Sequence, residues 1–280
     1  MKVSYLGTTV LLFDDGVDQI MFDAHVTRPP LWKYVLNARV QTNAALADEI
    51  IERYQMERLR AIFVSHAHHD HVMDAPYFAR RCGAAVYGSE SVLNVCRGGG
   101  VSEDRLVEFC GGESFELGGF EVRVIPSLHS KLAKPLDDLG QKIGRPLAPP
   151  ARLREYKEGG SFDFYLETAD RRILIRPSCN YIEGQLDGLQ ADVLFLGIGG
   201  MTRQSDAFCE AFFRETVEKV GAKLVIPIHW DNFFSGLDRP AKRMPRFMDK
   251  TERGLFTLAR YCEAHGVGCL VQLPRTSIEL

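Results

Sequence analysis

At 280 residues, with 45% hydrophobic and 25% charged residues, the chain has an ordinary globular composition and is long enough for one large domain or two small ones. A formal net charge of −3 gives no footprint for nucleic acid or an anionic membrane, and no apolar run is long enough to span a bilayer. The seven cysteines (Cys82, Cys96, Cys110, Cys179, Cys209, Cys262, Cys269) are odd in number and never spaced Cys-x-x-Cys, which argues against a disulfide framework or zinc ribbon. With Met1–Gly7 running into strand-like sequence and no signal peptide, the expectation is a cytoplasmic protein.

Lys2–Leu6, Val10–Asp14 and Gln19–Phe22 read as short strands, broken at Gly7 and at Asp15-Gly16. Asp23 and His25 follow the third. Such groups either fix a metal-liganding imidazole by a hydrogen bond or simply cap a turn, and for His25 both readings stand. Thr27–Tyr34 contains Pro29-Pro30, which no regular helix runs through. Trp32 and Tyr34 there are apolar walls of a pocket or aromatics of a surface loop. Asn43–Met56 places Ala45, Leu46, Ile50, Ile51 and Tyr54 at helical spacing, capped by Thr42 or Asn43.

Ala61–Val64 reads as a buried strand that ends at Ser65, and four histidines and an aspartate then fall between His66 and His71. Alternate side chains of an extended segment share a face, so His66 and His68 can point at one spot. Asp70 and His71 follow where the chain leaves the strand and can reach a neighbouring one. Imidazole and carboxylate are the donors a divalent ion such as zinc accepts. A histidine-rich solvated loop is the plain alternative, and an artificial tag would not follow a buried strand.

His66-Ala67-His68-His69-Asp70-His71 resembles the His-x-His-x-Asp-His signature of the metallo-β-lactamase-fold hydrolases. The resemblance implies an α/β (α+β) fold, a four-layer αββα sandwich of two mixed β-sheets flanked by helices, with the metals on one edge. It also implies a third histidine for the first metal, a bridging aspartate after a later strand, and a last histidine near the C-terminus.

Ala75–Arg81 and Ser89–Cys96 read as helices around a strand at Ala84–Tyr87, a βαβ-like alternation. Arg105–Phe109, Glu113–Leu117 and Phe120–Ile125 are strands. The last leads to His129, which the resemblance makes the third ligand of the first metal, beside His66 and His68. Residues 131–160 are irregular and carry seven Lys/Arg against four Asp/Glu. Long loops of this kind serve as lids or binding loops, and the basic excess suits an anionic substrate group or is solvated surface charge.

Ser161–Glu167 and Arg172–Arg176 form a hairpin, followed by Pro177-Ser178-Cys179-Asn180 with no carboxylate where the bridging aspartate is implied. Ser178 aligns with it. Cys179 is a candidate thiolate ligand, or equally a buried small hydrophobe. Asp192–Gly197 is a buried strand, Asp206–Val220 an amphipathic helix, and Lys223–Ile228 another strand. Ile226-Pro227-Ile228-His229-Trp230 looks like the final metal-histidine segment of a branch resembling ascorbate-phosphate lactonases. By that likeness Asp70, His71 and His229 hold the second metal, with Trp230 beside them. Asp231 supplies the missing oxygen ligand or orients His229 or a water. Thr251–Glu263 is a closing helix and Gly268–Leu273 a final strand. No internal linker is visible, so residues 1–280 are expected to form one domain with insertions at about 26–41 and 131–160.

The resemblance thus implies a metal-dependent hydrolase with two Zn2+ per chain, or Mn2+ or Fe in their place. It would use a metal-bound hydroxide, oriented by Asp70, on an ester, lactone or phosphodiester bond of a small, anionic molecule. Two other readings stay open. One is an iron-loaded oxidoreductase or dioxygenase on the same fold; the other is a non-catalytic ligand-binding descendant, motivated by the missing carboxylate. Oligomeric state is not legible, a symmetric homo-oligomer being the common default.

Overall fold

The computed structural model describes residues 1–131 and 137–280, so positions 132–136 of the expected 131–160 insertion lie outside the described residues. The first half holds strands β1 (Lys2–Gly7), β2 (Val10–Asp14), β3 (Gln19–Phe22), β4 (Arg39–Val40), β5 (Leu59–Phe63), β6 (Ala85–Gly88), β7 (Leu106–Glu108), β8 (Ser114–Leu117) and β9 (Phe120–Ser127). The second holds β10 (Ala151–Arg152), β11 (Ser161–Glu167), β12 (Arg172–Arg176), β13 (Val193–Gly197), β14 (Leu224–Ile228), β15 (Gly268–Cys269) and β16 (Thr276–Glu279). The helices are α1 (Leu31–Val35), α2 (Ala44–Arg53), α3 (His69–Val72), α4 (Ala75–Cys82), α5 (Glu90–Gly98), α6 (Asp206–Phe213) and α7 (Thr251–Ala264).

Two seven-stranded mixed sheets result, in the orders β16-β1-β2-β3-β5-β6-β7 and β15-β14-β13-β12-β11-β9-β8. Alternation along the first sheet explains its two buried faces. Val3, Tyr5, Leu11, Phe13, Ile20, Phe22, Ala61 and Phe63 share a core with the second sheet's Phe164, Ile175 and Phe195. The intervening Val10, Leu12, Met21, Ile62 and Val64 point the other way, onto Ala47 and Ile50 of α2, Phe78 of α4 and Val92 of α5. The second sheet's outer side is covered by Phe212 and Phe213 of α6 and Leu258 and Cys262 of α7, contiguous with the core between the sheets. Phe13 meets Phe195 edge-on at 5.8 Å and Phe22 meets Phe164 at 5.2 Å, clamping sheet to sheet. This is the helix-covered sandwich of two mixed sheets expected from the sequence.

Several elements depart from expectation. No helix runs through Pro29-Pro30, as expected, but a short one the sequence did not mark, α1, begins directly after them with Pro30 as its N-cap, where a missing N–H costs nothing. The amphipathic helix from Asp206 is α-helical only to Phe213 and widens to a π-turn over Arg214–Glu218. The expected final strand stops at Cys269, and after Pro274-Arg275 the chain forms β16, an edge strand antiparallel to β1 that polar Thr276 and Ser277 concealed. The irregular insertion carries β10, which pairs with β4.

Parallel pairing of β3 with β5 and of β12, β13 and β14 aligns the carboxyl ends of these strands. Asp23 follows β3, His66 follows β5, and His229 follows β14 directly, while His129 lies just past β9. One rim of the sandwich therefore collects them.

Candidate metal centre

Two clusters stand at that rim. His66, His68 and His129 offer one ring nitrogen each, and Asp70, His71 and His229 offer a carboxylate oxygen and two ring nitrogens; within each cluster the donor atoms all lie within 4.8 Å of one another. Asp70 and His71 reach their place because the chain turns into α3 immediately after His68, whose extended backbone forms the N-cap. The clusters adjoin, with the rings of His66 and His71 centred 3.8 Å apart.

The outward nitrogens of the first cluster are already used. His129 Nδ1–H donates to the Ser130 carbonyl at 2.6 Å, which can only accept. His68 Nε2–H donates to the Asp138 carboxylate at 3.0 Å. Burial tends to raise the Asp138 carboxyl, but its hydrogen bond with His68, the His68 charge and Lys157 win and hold it below the usual range, so it accepts. His66 Nδ1 lies 3.1 Å from the Ser65 hydroxyl. What remains faces inward: His68 Nδ1 and His129 Nε2 are 3.2 Å apart, and His66 Nε2 is buried without a partner among the described residues. Two lone pairs at that distance repel, and a buried orphan nitrogen costs about 1–3 kcal/mol. Burial first, then the neighbouring imidazoles, holds His66 well below its ordinary value, and burial with His68 pushes His129 down to about 3. The free nitrogens of three rings thus converge on one point, an arrangement that fits a cation.

The second cluster contains its own charge. Asp70 Oδ2 lies 3.5 Å from His229 Nε2 and 3.8 Å from His71 Nε2. Burial works against the Asp70 charge, but His71, His229 and His69 outweigh it and hold the carboxyl well below its usual range. His229 is lowered by burial yet raised on balance by Asp70. Asp23, fully buried, fixes His71 through Nδ1 at 2.7 Å while accepting from the Thr9 hydroxyl, the Ser65 N–H and the Ser65 hydroxyl. Asp23 and His229 both have left-handed backbones, φ 54° and 57°. Strain of this kind, on the order of 1–3 kcal/mol each, persists only where the surroundings impose it. For His229 they do, since its N–H donates to the Thr8 carbonyl.

Other expected site residues lie elsewhere. Cys179 enters neither cluster: its N–H donates to Ser130 Oγ at 2.9 Å and its side chain is buried in the hydrophobic core, where burial pushes the thiol up and disfavours the thiolate. Ser178 is buried in the same turn, its carbonyl accepting from Asn180 N–H. Asp231 faces away from the donors. It accepts from Tyr5 Oη at 2.9 Å and Thr8 N–H at 2.8 Å, and pairs with Arg28 at 2.7 Å, a buried strut beneath His229. His25 is buried edge-on to His69 with no partner for either ring nitrogen among the described residues, so it fixes no donor imidazole there. Trp230 packs in the core, and Trp32 is 57% exposed.

Aromatic rings border the second cluster, Tyr34 as one reading of the sequence had it and Tyr156, Phe233 and Phe234 unassigned there. His69 packs against Tyr34 (5.9 Å), Tyr156 (6.5 Å) and Phe233 (6.4 Å), and Phe233 also meets His229 at 5.5 Å and Phe234 at 4.4 Å. Phe233-Phe234, directly after the final histidine segment, was the available signal. Asp138 had none.

Comparison with known proteins places this geometry. Residues 18–230 match the family model described as the beta-lactamase superfamily domain. A protein named UPF0173 metal-dependent hydrolase from Roseiflexus sp. (strain RS-1) is 32% identical over 106 residues, 38% of this chain and 43% of that one, so the match spans under half of that relative's length. One of the same name from Carboxydothermus hydrogenoformans is 25% identical over 237 residues, 83% of this chain and 86% of that one. Among solved structures, Igni18, titled a metallo hydrolase from Ignicoccus hospitalis, superposes with a TM-score of 0.62 at 15% identity, covering 100% of this chain and 98% of that one. On the model match across residues 18–230, this chain belongs to the beta-lactamase superfamily domain family.

Proposed function

We propose that this protein is a metal-dependent hydrolase that cleaves an ester, lactone or phosphodiester bond of a small molecule. The observation that carries the reading is the pair of adjoining three-donor clusters, one of them three imidazoles whose free nitrogens converge. The relatives' names support it. In this reading His66, His68 and His129 hold one divalent ion and Asp70, His71 and His229 a second, zinc being the metal best matched to the donors. Such ions, when bound, polarise a carbonyl or phosphoryl oxygen and make water acidic enough to ionise near neutral pH.

The chain's own residues supply the rest. Asp70 stays ionised between His71 and His229 and orients the attacking water by accepting its hydrogen bond. Asp23 keeps a proton on His71 Nδ1 and leaves Nε2 facing Asp70. Tyr34, Phe233 and Phe234 give the organic part of the substrate an apolar wall and exclude water from that side. Lys157, 4.0 Å from Asp138 at the edge of the site, offers a partner to an anionic substrate group.

An iron-loaded oxidoreductase is the second reading. It is favoured by the absence of a thiolate from both clusters, which leaves an all-imidazole and carboxylate set that iron also accepts. The test is an ester, lactone and phosphodiester panel run on protein reconstituted with zinc, manganese or iron. Turnover that disappears in His66→Ala/His68→Ala supports the hydrolase. No turnover of any member by fully metallated protein contradicts it and favours oxidation chemistry or ligand binding alone.

A further inference from the structure

The insertion after β9 is tied to the histidine motif rather than lying free over it. The buried Glu158 carbonyl accepts from Ala67 N–H at 2.9 Å, between the two histidines, while its carboxylate takes Gly140 N–H at 2.8 Å and Ser161 Oγ at 2.7 Å. Gly159 N–H donates to the Gln141 carbonyl, and Gln141 N–H to the Asp138 carbonyl, both at 2.9 Å. On the far side Ile143 is fixed through its N–H to Ser91 Oγ at 2.9 Å and through its carbonyl to Asn94 Nδ2 at 2.7 Å, both on α5. These ties bring the Asp138 carboxylate 3.0 Å from His68 Nε2, with its side chain 13% exposed.

We infer that Asp138 is a positioning residue for the first donor cluster, holding the proton of His68 on Nε2 so that the Nδ1 lone pair faces His66 and His129. The inference rests on the proposed reading of that cluster as a metal site. An ionised carboxylate can only accept, so while it is in place the Nε2–H tautomer is the one it stabilises. The same contact fixes the ring plane and makes Nδ1 a stronger donor. His129 obtains the equivalent constraint from the Ser130 carbonyl, but His68 obtains it only through the insertion. Asp138 thus puts an anionic partner beside a cluster whose three donors are all imidazoles.

The test uses full-length protein and zinc binding by competition with a chromophoric chelator, together with the visible spectrum of the cobalt-substituted form. Wild type is compared with Asp138→Ala and Asp138→Asn, with circular dichroism as a check on folding. The expected result is that Asp138→Ala weakens one of two zinc sites by about 10–100-fold, changes the cobalt spectrum, and leaves the other site as in wild type. Asp138→Asn, whose amide oxygen still accepts from Nε2–H, should recover part of that loss. Unchanged zinc affinities and cobalt spectrum in Asp138→Ala overturn the inference. So does loss of an ion as complete in Asp138→Asn as in Asp138→Ala, which would make the carboxylate a direct ligand. A wild type that binds no zinc at all overturns the metal reading of the cluster, and this inference with it.

Discussion

The two donor clusters touch, yet different parts of the molecule hold them. Asp70, His71 and His229 are set by the sandwich itself: Asp23 at the end of β3 fixes His71, and the buried Arg28–Asp231 pair braces the turn that carries His229. Their charge is internal, since Asp70 belongs to the cluster. The first cluster has no carboxylate among its donors; His68 and His129 take their orientation from loops, Asp138 in the insertion and Ser130 past β9, while His66 shares the frame through Ser65. One cluster is held by the sheets and contains its own carboxylate, while the other is all imidazole and owes much of its shape to irregular chain. Damage to the frame should therefore strike the second cluster, and damage to the loops the first.

The largest effect is expected at Asp70. Asp70→Asn removes the one negative charge in the second cluster, and turnover in the panel assay should fall by about 10²–10⁴-fold, with weaker uptake of one ion. Arg28→Met tests the strut: with Asp231 left buried and unpaired, denaturant unfolding should show a loss of about 3–5 kcal/mol. Reduced uptake of one ion should accompany it, and the first cluster should be spared.

A pH-dependent effect is expected on the loop side. Arg176, paired with Asp163 at 3.1 Å, donates to the Asn180 carbonyl, and Asn180 Nδ2 donates to the His129 carbonyl. Burial raises the Asp163 carboxyl from 3.8 to about 6, against the Arg176 charge. The folded form therefore binds this proton more tightly than the unfolded one. Its contribution is full below the unfolded value and is lost as pH rises through about 6, on the order of 3 kcal/mol in all. Asp163→Asn abolishes that term, so unfolding measured at pH 4 and pH 7 should show the variant gaining relative to wild type as pH rises. A constant difference between the two contradicts it.

Asp23→Ala should weaken ion binding at the second cluster by about 10–100-fold, with a smaller loss at the first, which Asp23 reaches only through Ser65 beside His66; equal loss at both would erase the distinction drawn between them. The smallest effect belongs to Cys179→Ala. Ion content and turnover should not change, and stability should fall only by about 1 kcal/mol for a buried small side chain.

The same division decides what the sequence made legible. His66, His68, Asp70 and His71 are close neighbours after a buried strand, so periodicity and donor chemistry mark them. His129 and His229 are single histidines after strands and were found only by resemblance to a family pattern. Asp23 was readable as a carboxylate at a strand end. Cys179 and Asp231 were plausible donors by position, but chemistry along the chain does not say which way a turn residue points. Cys179 turns into the core, and Asp231 toward Tyr5, Thr8 and Arg28. Asp138 sits in a loop with no period to read, and its partner His68 is distant in sequence. The two sheets were largely visible as alternating apolar runs, whereas β16 and the β4–β10 pair, short and polar, were not.

The most direct measurement is ion content per chain, by elemental analysis of wild type and of His66→Ala/His68→Ala purified alike. Two divalent ions in wild type, falling to one in the double variant, is the expected result: the frame-held cluster keeps its ion when the loop-held one is destroyed. A wild type without metal, or a double variant that retains both ions, would contradict the assignment of the two clusters as two separate metal sites.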